Sequence, residues 1–184
     1  MTDISYIHTG QGVLYLSMIC NLYDNSIVAY KTGTRQTVNL VLDTIRLAIK
    51  QEKKAVAAEL QLHSDQGGQY TSQAYFDLTK QYGITPSMSR RGNPYDNAMA
   101  ENFFSILKTE CIYRRKPATF SEANEMVDRY IHFYNHERIQ LKTGEAPLAR
   151  RLLHPNSIFP TGGIFCTVRT NWGVQMACSL CESQ

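Results

Sequence analysis

Apolar positions along this chain follow two different periods. From Asp3 to His8, Val13 to Cys20 and Ser26 to Tyr30 they fall in short runs, broken by Gly10 to Gly12 and by Asp24-Asn25. Such runs with close turns predict three strands in an antiparallel meander. The run from Val13 to Cys20 lacks clean alternation, which suits a central strand covered on both faces. After Gly33 the period lengthens: Val38, Val41, Leu42, Ile45 and Ile49 form a helical stripe that ends in the polar stretch Lys50 to Lys54. Glu59 to His63 reads as a fourth strand, and Gly67-Gly68 interrupt it, so Asp65 falls at its C-terminal end. Thr71 or Ser72 caps a helix running to Tyr82 and stopped by Gly83, and Ile84 to Ser89 gives a fifth strand. Asn93-Pro94-Tyr95-Asp96 predicts a helix start, with Asn93 as cap and Pro94 at the first helical position, and that helix is expected to run to Cys111. A last helix is expected from Ser121 to Asn135, because Thr119-x-x-Glu122 is a capping box and Ala123, Met126, Val127, Tyr130, Ile131 and Tyr134 form its apolar stripe.

The order β-β-β-α-β-α-β-α-α predicts an α/β fold with a mixed sheet flanked by helices. Residues 1–150 are expected to form one domain with a C-terminal helical extension. In the remaining 34 residues only Arg151, Arg169 and Glu182 are fully charged and no period persists. Residues 151–184 therefore read as a poorly defined tail, with a short strand from Ile164 to Val168 as the best alternative.

Composition adds constraints. The 184 residues are 43% hydrophobic and 19% charged, and no apolar run approaches the ~20 residues of a membrane span. No signal-peptide pattern opens the chain. Five cysteines without framework spacing fit a reducing compartment; the lone Cys178-x-x-Cys181 lacks the partners a zinc site needs. These features predict a cytoplasmic protein without membrane contact. The net charge of +3 permits nucleic-acid binding, and its local distribution says more. Six basic residues (Arg90, Arg91, Lys108, Arg114, Arg115, Lys116) stand against three acidic ones (Asp96, Glu101, Glu110) between positions 90 and 116. That segment is a candidate phosphate-facing patch, with a plain solvated face as the alternative.

Three carboxylates occupy telling places: Asp3 on the first strand, Asp65 at the end of the fourth, and Glu101 on the helix after the fifth. If the first and fourth strands are neighbours, Asp3 and Asp65 repel unless a cation lies between them. Hard oxygen ligands select Mg2+ or Mn2+. Two such ions activate an attacking hydroxyl and stabilise the leaving oxygen of a phosphoryl displacement, so that no protein nucleophile is required. At 100° per residue, Asn97, Glu101, Ser105 and Lys108 share one helix face, while Met99, Phe103 and Ile106 face the core.

The segments TDISYI, LHSDQGGQYTS, SRRGNPYDNAMAENFFSILKTE and YIHFYNHERIQLKTGEAP closely resemble the core of insertion-sequence-three family transposases, relatives of retroviral integrases. The resemblance covers residues 2 to 149. It implies an RNase H-like fold, the integrase catalytic core with its mixed five-stranded sheet, and a DDE triad with 35 residues between the second and third members. The triad maps onto Asp3, Asp65 and Glu101 as catalytic and metal-holding residues. The family's basic residue seven positions after its glutamate maps onto Lys108. Arg90, Arg91, Asn97, Arg114 and Arg115 join Lys108 as candidate DNA contacts. The implied partners are DNA, as element ends and target, and a second copy or a full-length transposase; the implied activity is metal-dependent DNA cleavage and strand transfer in a bacterial cytoplasm, at the nucleoid when DNA is bound. Tyr134, Asn135, His136 and Arg138 fall in a motif expected to serve packing and DNA contact.

The sequence also departs from that family. Only Met1-Thr2 precede Asp3, so the first strand reads as clipped and Asp3 is expected to fray from the site. Asn21 stands where relatives often have aspartate. Beyond Arg150 the chain reads like translated sequence from past a disrupted element. These departures motivate the alternative of a non-catalytic remnant that binds DNA or a full-length transposase.

Overall fold

A computed structural model describes residues 1–52, 60–90, 94–153, 169–170 and 173–174. The first three strands are β1 (Thr2–Thr9), β2 (Gly12–Cys20) and β3 (Ile27–Gly33), paired antiparallel in that order. α1 (Val38–Glu52) follows, then β4 (Gln61–Ser64), α2 (Gln73–Gln81) and β5 (Thr85–Met88). β4 and β5 pair in parallel, so α2 is the crossover between them. The five strands expected from the sequence are present, paired as a ladder of three and a ladder of two. Among the described residues β1 and β4 pack side by side without a ladder between them.

Side-chain alternation explains the layers. On β2, Leu14, Leu16, Met18 and Cys20 point to one face and pack with Phe103, Phe104, Ala123, Val127 and Ile131. Ile19 points to the other and joins Val41, Ile45, Leu62, Tyr75 and Leu78. β2 is thus buried on both sides, as its unbroken apolar run predicts. Each large side chain taken from water there contributes roughly 1.5–3 kcal/mol.

β1 is paired along its whole length. Thr2 pairs with Ile19 and Asp3 with Met18. Met1 is buried, its ammonium donates to the Cys20 carbonyl at 2.9 Å, and the Cys20 N–H donates to the Met1 carbonyl at 2.9 Å. The Thr2 hydroxyl donates to the Met18 carbonyl (2.9 Å). Asp3 is therefore anchored on both sides, contrary to the expectation that it frays.

The third helix also departs from expectation. Pro94–Asn97 form a 3-10 turn, and α3 (Ala98–Leu107) starts only after it. Asn93, the expected cap, lies outside the described residues, as do Arg91 and the alternative tail strand Ile164 to Val168. The delay has a local cause: Asn97 sits at φ −115°, ψ 5°, outside helical backbone, and makes no side-chain cap bond. At its other end the helix does not stop at Cys111. It widens into a π-helical turn (Lys108–Ile112) and continues as α4 (Tyr113–Arg115), until Lys116 turns into left-handed backbone at φ 43°.

α5 (Phe120–His136) begins at the predicted Thr119 cap, while the return bond from Glu122 reaches one residue further back than a capping box requires. The Thr119 hydroxyl accepts from the Glu122 N–H (3.1 Å), and the Glu122 carboxylate accepts from the Ala118 N–H (2.7 Å). α6 (Pro147–Leu153) runs through position 150, and Arg151 forms an ion pair with the fully buried Asp24 of the β2–β3 turn. Short strands β6 (Arg169–Thr170) and β7 (Gly173–Val174) pair with each other.

Candidate active site

Asp3 is the most constrained of the three acids. Its Oδ1 accepts from the Ile4 N–H at 2.7 Å, and its Oδ2 accepts from Asn97 Nδ2 at 2.9 Å. Burial raises its pKa to about 6, against the lowering pull of those two hydrogen bonds, and the charges of Asp65 and Glu101 raise it further. Two acids remote in sequence thus act on Asp3.

Asp65 follows β4 in a turn built around Gly67. The Asp65 Oδ1 accepts from the Gly67 N–H at 2.9 Å, and a Cβ on Gly67 would stand 2.9 Å from that same oxygen. Glycine there lets the backbone close on the carboxylate. Gln66 Nε2 donates to the Ser89 carbonyl (3.0 Å), and the buried Tyr70 hydroxyl lies 3.4 Å from Thr2 Oγ1. The turn is thereby tied to β5 and to β1. His63 uses both ring nitrogens on Ser87 (2.9 Å) and Ser89 (3.0 Å), which fixes the ends of β4 and β5 together, and burial lowers its pKa. With both nitrogens engaged in this way, His63 braces the strand ends rather than the carboxylates.

Glu101 lies exposed in the first turn of α3. It shares a cleft of about 350 Å³ with Asp3, Ser105, Lys108, Thr109 and Tyr113. The expected helix face thus meets the first strand. Phe103 is buried, with Met99 and Ile106 partly buried around it, as the same period predicts. Among the described residues, no three His, Cys, Asp or Glu side chains stand close enough together to form a ready metal site.

The candidate DNA contacts separate into groups. Lys108 is half-buried between the cleft and the Tyr6 ring, with Nζ 4.6 Å from the ring centroid, and burial lowers its pKa. Arg114 and Arg115 are exposed on α4. Arg90 is exposed and paired with Asp96, its Nε 3.3 Å from Oδ2. Asn97 is only 9% exposed and turned toward Asp3, so its burial suits orienting a carboxylate better than meeting a phosphate. Its Oδ1 is buried without a hydrogen-bond partner.

Sequence reasoning missed Tyr6, Tyr70 and Tyr113. Tyr6 and His8 sit two apart on one exposed strand face, a readable signal; Tyr70 gave none, because nothing local distinguishes a tyrosine that braces a loop. The C-terminal motif lies away from this cleft. Asn135 exchanges two hydrogen bonds with the Ile27 backbone (2.9 and 3.0 Å), and Arg138 grips Glu110 through two nitrogens.

An RNase H-like core with a carboxylate-lined cleft at the meeting of β1 and α3 is the class that this fold and cleft define. The chain belongs to the integrase core domain family, whose match covers residues 1–94, and a second integrase core domain family matches residues 82–140. It is 40% identical over 141 residues to a transposase-like protein of Haemophilus influenzae, covering 77% of this chain and 64% of that protein. It is 39% identical over 138 residues to the transposase for insertion sequence element IS904 of Lactococcus lactis, covering 74% of this chain and 54% of the relative. Transposase InsF for insertion sequence IS3A of Escherichia coli is 36% identical over 111 residues, 60% of this chain and 38% of that protein. The chain thus spans less than two thirds of these relatives' lengths. Among solved structures, a chain in the simian T-cell lymphotropic virus intasome, in complex with PP2A regulatory subunit B56 gamma, superposes with a TM-score of 0.71 at 17% identity, over 88% of this chain and 55% of that one. The HTLV-2 integrase catalytic core domain in complex with magnesium gives 0.63 at 12% identity, over 80% and 91%. At such identities these likenesses establish the fold.

Proposed function

We propose that this chain is the catalytic core of a DDE-type transposase, which cuts and joins DNA strands by phosphoryl transfer. The observation that carries the proposal is Asp3: a part-buried carboxylate with its pKa raised to about 6, held by two hydrogen bonds and exposed to the fields of Asp65 and Glu101. Such a group gains most from a bound divalent cation. The donor set suits Mg2+ or Mn2+ by its chemistry: the three acids offer only hard oxygen donors, and Asn97 Oδ1, on the amide that holds Asp3, is a buried acceptor without a partner. Asp3, Asp65 and Glu101 would hold a pair of ions. When bound, the pair supplies activation of the attacking hydroxyl and stabilisation of the departing oxygen.

The chain's own residues do the rest. The Ile4 N–H and the Asn97 amide fix both oxygens of Asp3, and the Gly67 N–H fixes one oxygen of Asp65. Glu101, on the outer turn of α3, faces the side from which DNA arrives. Lys108, in the same cleft, meets the negative charge of the phosphate flanking the cut. The exposed Arg90, Arg114 and Arg115 add further phosphate contacts. Element ends and target DNA are the substrates, and a second copy or a full-length transposase is the partner that brings two ends together, in the cytoplasm. No helix among the described residues is long and apolar enough to cross a membrane.

The test is nicking and strand joining of labelled DNA that carries the element's ends, with Mg2+ or Mn2+ and with Asp65→Asn as control. Both reactions are expected to need metal and to vanish in the variant. DNA binding with neither reaction, under conditions where the chain is folded, would overturn the proposal.

A further inference from the structure

Lys108 belongs to two clefts. The first holds Asp3 and Glu101. The second, about 560 Å³, runs from Lys108 past Tyr6 and His8 to Lys116 and Pro117, and it shares Tyr113 as well as Lys108 with the first. The two form one groove that changes character along its length. One end is lined by carboxylates; at the other no carboxylate is among the lining residues, and two lysines and a histidine are.

The far end is also aromatic. Tyr6 and Tyr113 are 52% and 63% exposed, large values for rings with so much apolar area to bury. Tyr6 is braced: Lys108 Nζ lies over its ring at 4.6 Å, and His8 packs edge-on at 5.3 Å between centroids. Lys116 is held at the groove's end by left-handed backbone, φ 43°, which side chains rarely adopt. Braced exposed rings interleaved with cations suit a nucleic-acid strand whose base faces are open. In a duplex those faces are occupied by neighbouring bases, and the rings would have nothing to stack on.

We propose that this groove binds a short unpaired stretch of the DNA strand leaving the carboxylates, with bases on Tyr6 and Tyr113 and phosphates on Lys108 and Lys116. The inference rests on the transposase-core reading and names where the strand next to the reactive phosphate goes. It requires that the DNA be unpaired beside the cut.

The test is fluorescence anisotropy in EDTA, so that binding is read without chemistry, on the full chain. The probes are a fluorescein-labelled single strand of about a dozen nucleotides and a blunt hairpin duplex. Tyr6→Ala and Tyr113→Ala are each expected to weaken single-strand binding about tenfold, with the duplex changed less than about twofold. Tyr6→Phe and Tyr113→Phe are expected to retain binding, because stacking needs the ring and not the hydroxyl. Lys116→Gln is expected to flatten the salt dependence on the single strand. Equal losses on both probes, or none on either, would overturn the proposal, and so would a loss in the phenylalanine variants equal to that in the alanine ones. Failure of metal-dependent nicking in the wild type, with ring-dependent single-strand binding intact, would sink the transposase reading and leave the groove standing. Nicking without ring-dependent binding would do the reverse.

Discussion

At the scale of single residues, Asn97 stands where a helix cap belongs, yet its amide is spent on Asp3 and its carbonyl oxygen is buried without a partner. Losing a side chain that orients a metal-holding group typically costs about 10- to 100-fold in activity or metal affinity. Asn97→Ala is therefore expected to slow metal-dependent nicking by about that factor and to weaken Mn2+ binding, measured by calorimetry without DNA, while the melting temperature moves little. A large drop in melting temperature with unchanged Mn2+ affinity would make Asn97 purely structural. The sequence singles out the three acids and Lys108 as candidates because their motifs and the helical period point at them. The hydrogen bond from Asn97 to Asp3 was not legible: the two are 94 residues apart, and only the packing of α3 against β1 makes them neighbours.

At the scale of elements, the π-helical turn is stapled to the end of α5. Glu110 accepts from Arg138 (Nη2 at 2.6 Å) and from the Tyr130 hydroxyl at 2.6 Å, and the Arg138 bonds hold its carboxyl below the usual range against the opposing effect of burial. A depressed carboxylate pKa contributes stability that is present above its unfolded value of about 4.3 and is lost as pH falls through the folded value. The pair is partly exposed, which limits its contribution to about 1 kcal/mol. Urea melts at pH 7 should show Glu110→Gln less stable than wild type by about that amount, and the gap should close in acid. A gap independent of pH would assign the loss to packing instead. Strands and helices were legible where a period ran unbroken, as in β2, α1 and α5. The broken end of α3 was not, because a π turn keeps the same residue types and alters only which carbonyl each N–H reaches.

At the scale of the whole molecule, the sequence suggested a boundary at 150, where charge and period fade. α6 crosses that point, and Arg151 ties it to Asp24, whose carboxylate is wholly buried and also accepts from the Ser26 N–H at 2.8 Å. Removing one partner of a buried pair strands the other charge, at a cost of about 3–5 kcal/mol. Chains cut after Arg150 should therefore melt well below chains cut after Leu153, and Arg151→Ala in the full chain should reproduce most of the difference. Equal melting of the two truncations would support the boundary at 150. A fading pattern marks where a chain stops covering itself with apolar residues, and it is blind to a single ion pair folding back. The π turn also bears on how such a molecule changes. It is what an α-helix becomes on accepting one extra residue, and each residue of an α-helix turns the chain by about 100°. A π turn takes one more residue to complete about the same rotation, so deleting a single residue between Lys108 and Ile112 would restore a plain α-helix and leave Tyr113, Arg114 and Arg115 near their present phase relative to Glu101. The turn thus absorbs one residue without disturbing the phase between the acids and the basic, aromatic end of the groove, and a lineage could gain or lose a residue there while the candidate site keeps its arrangement.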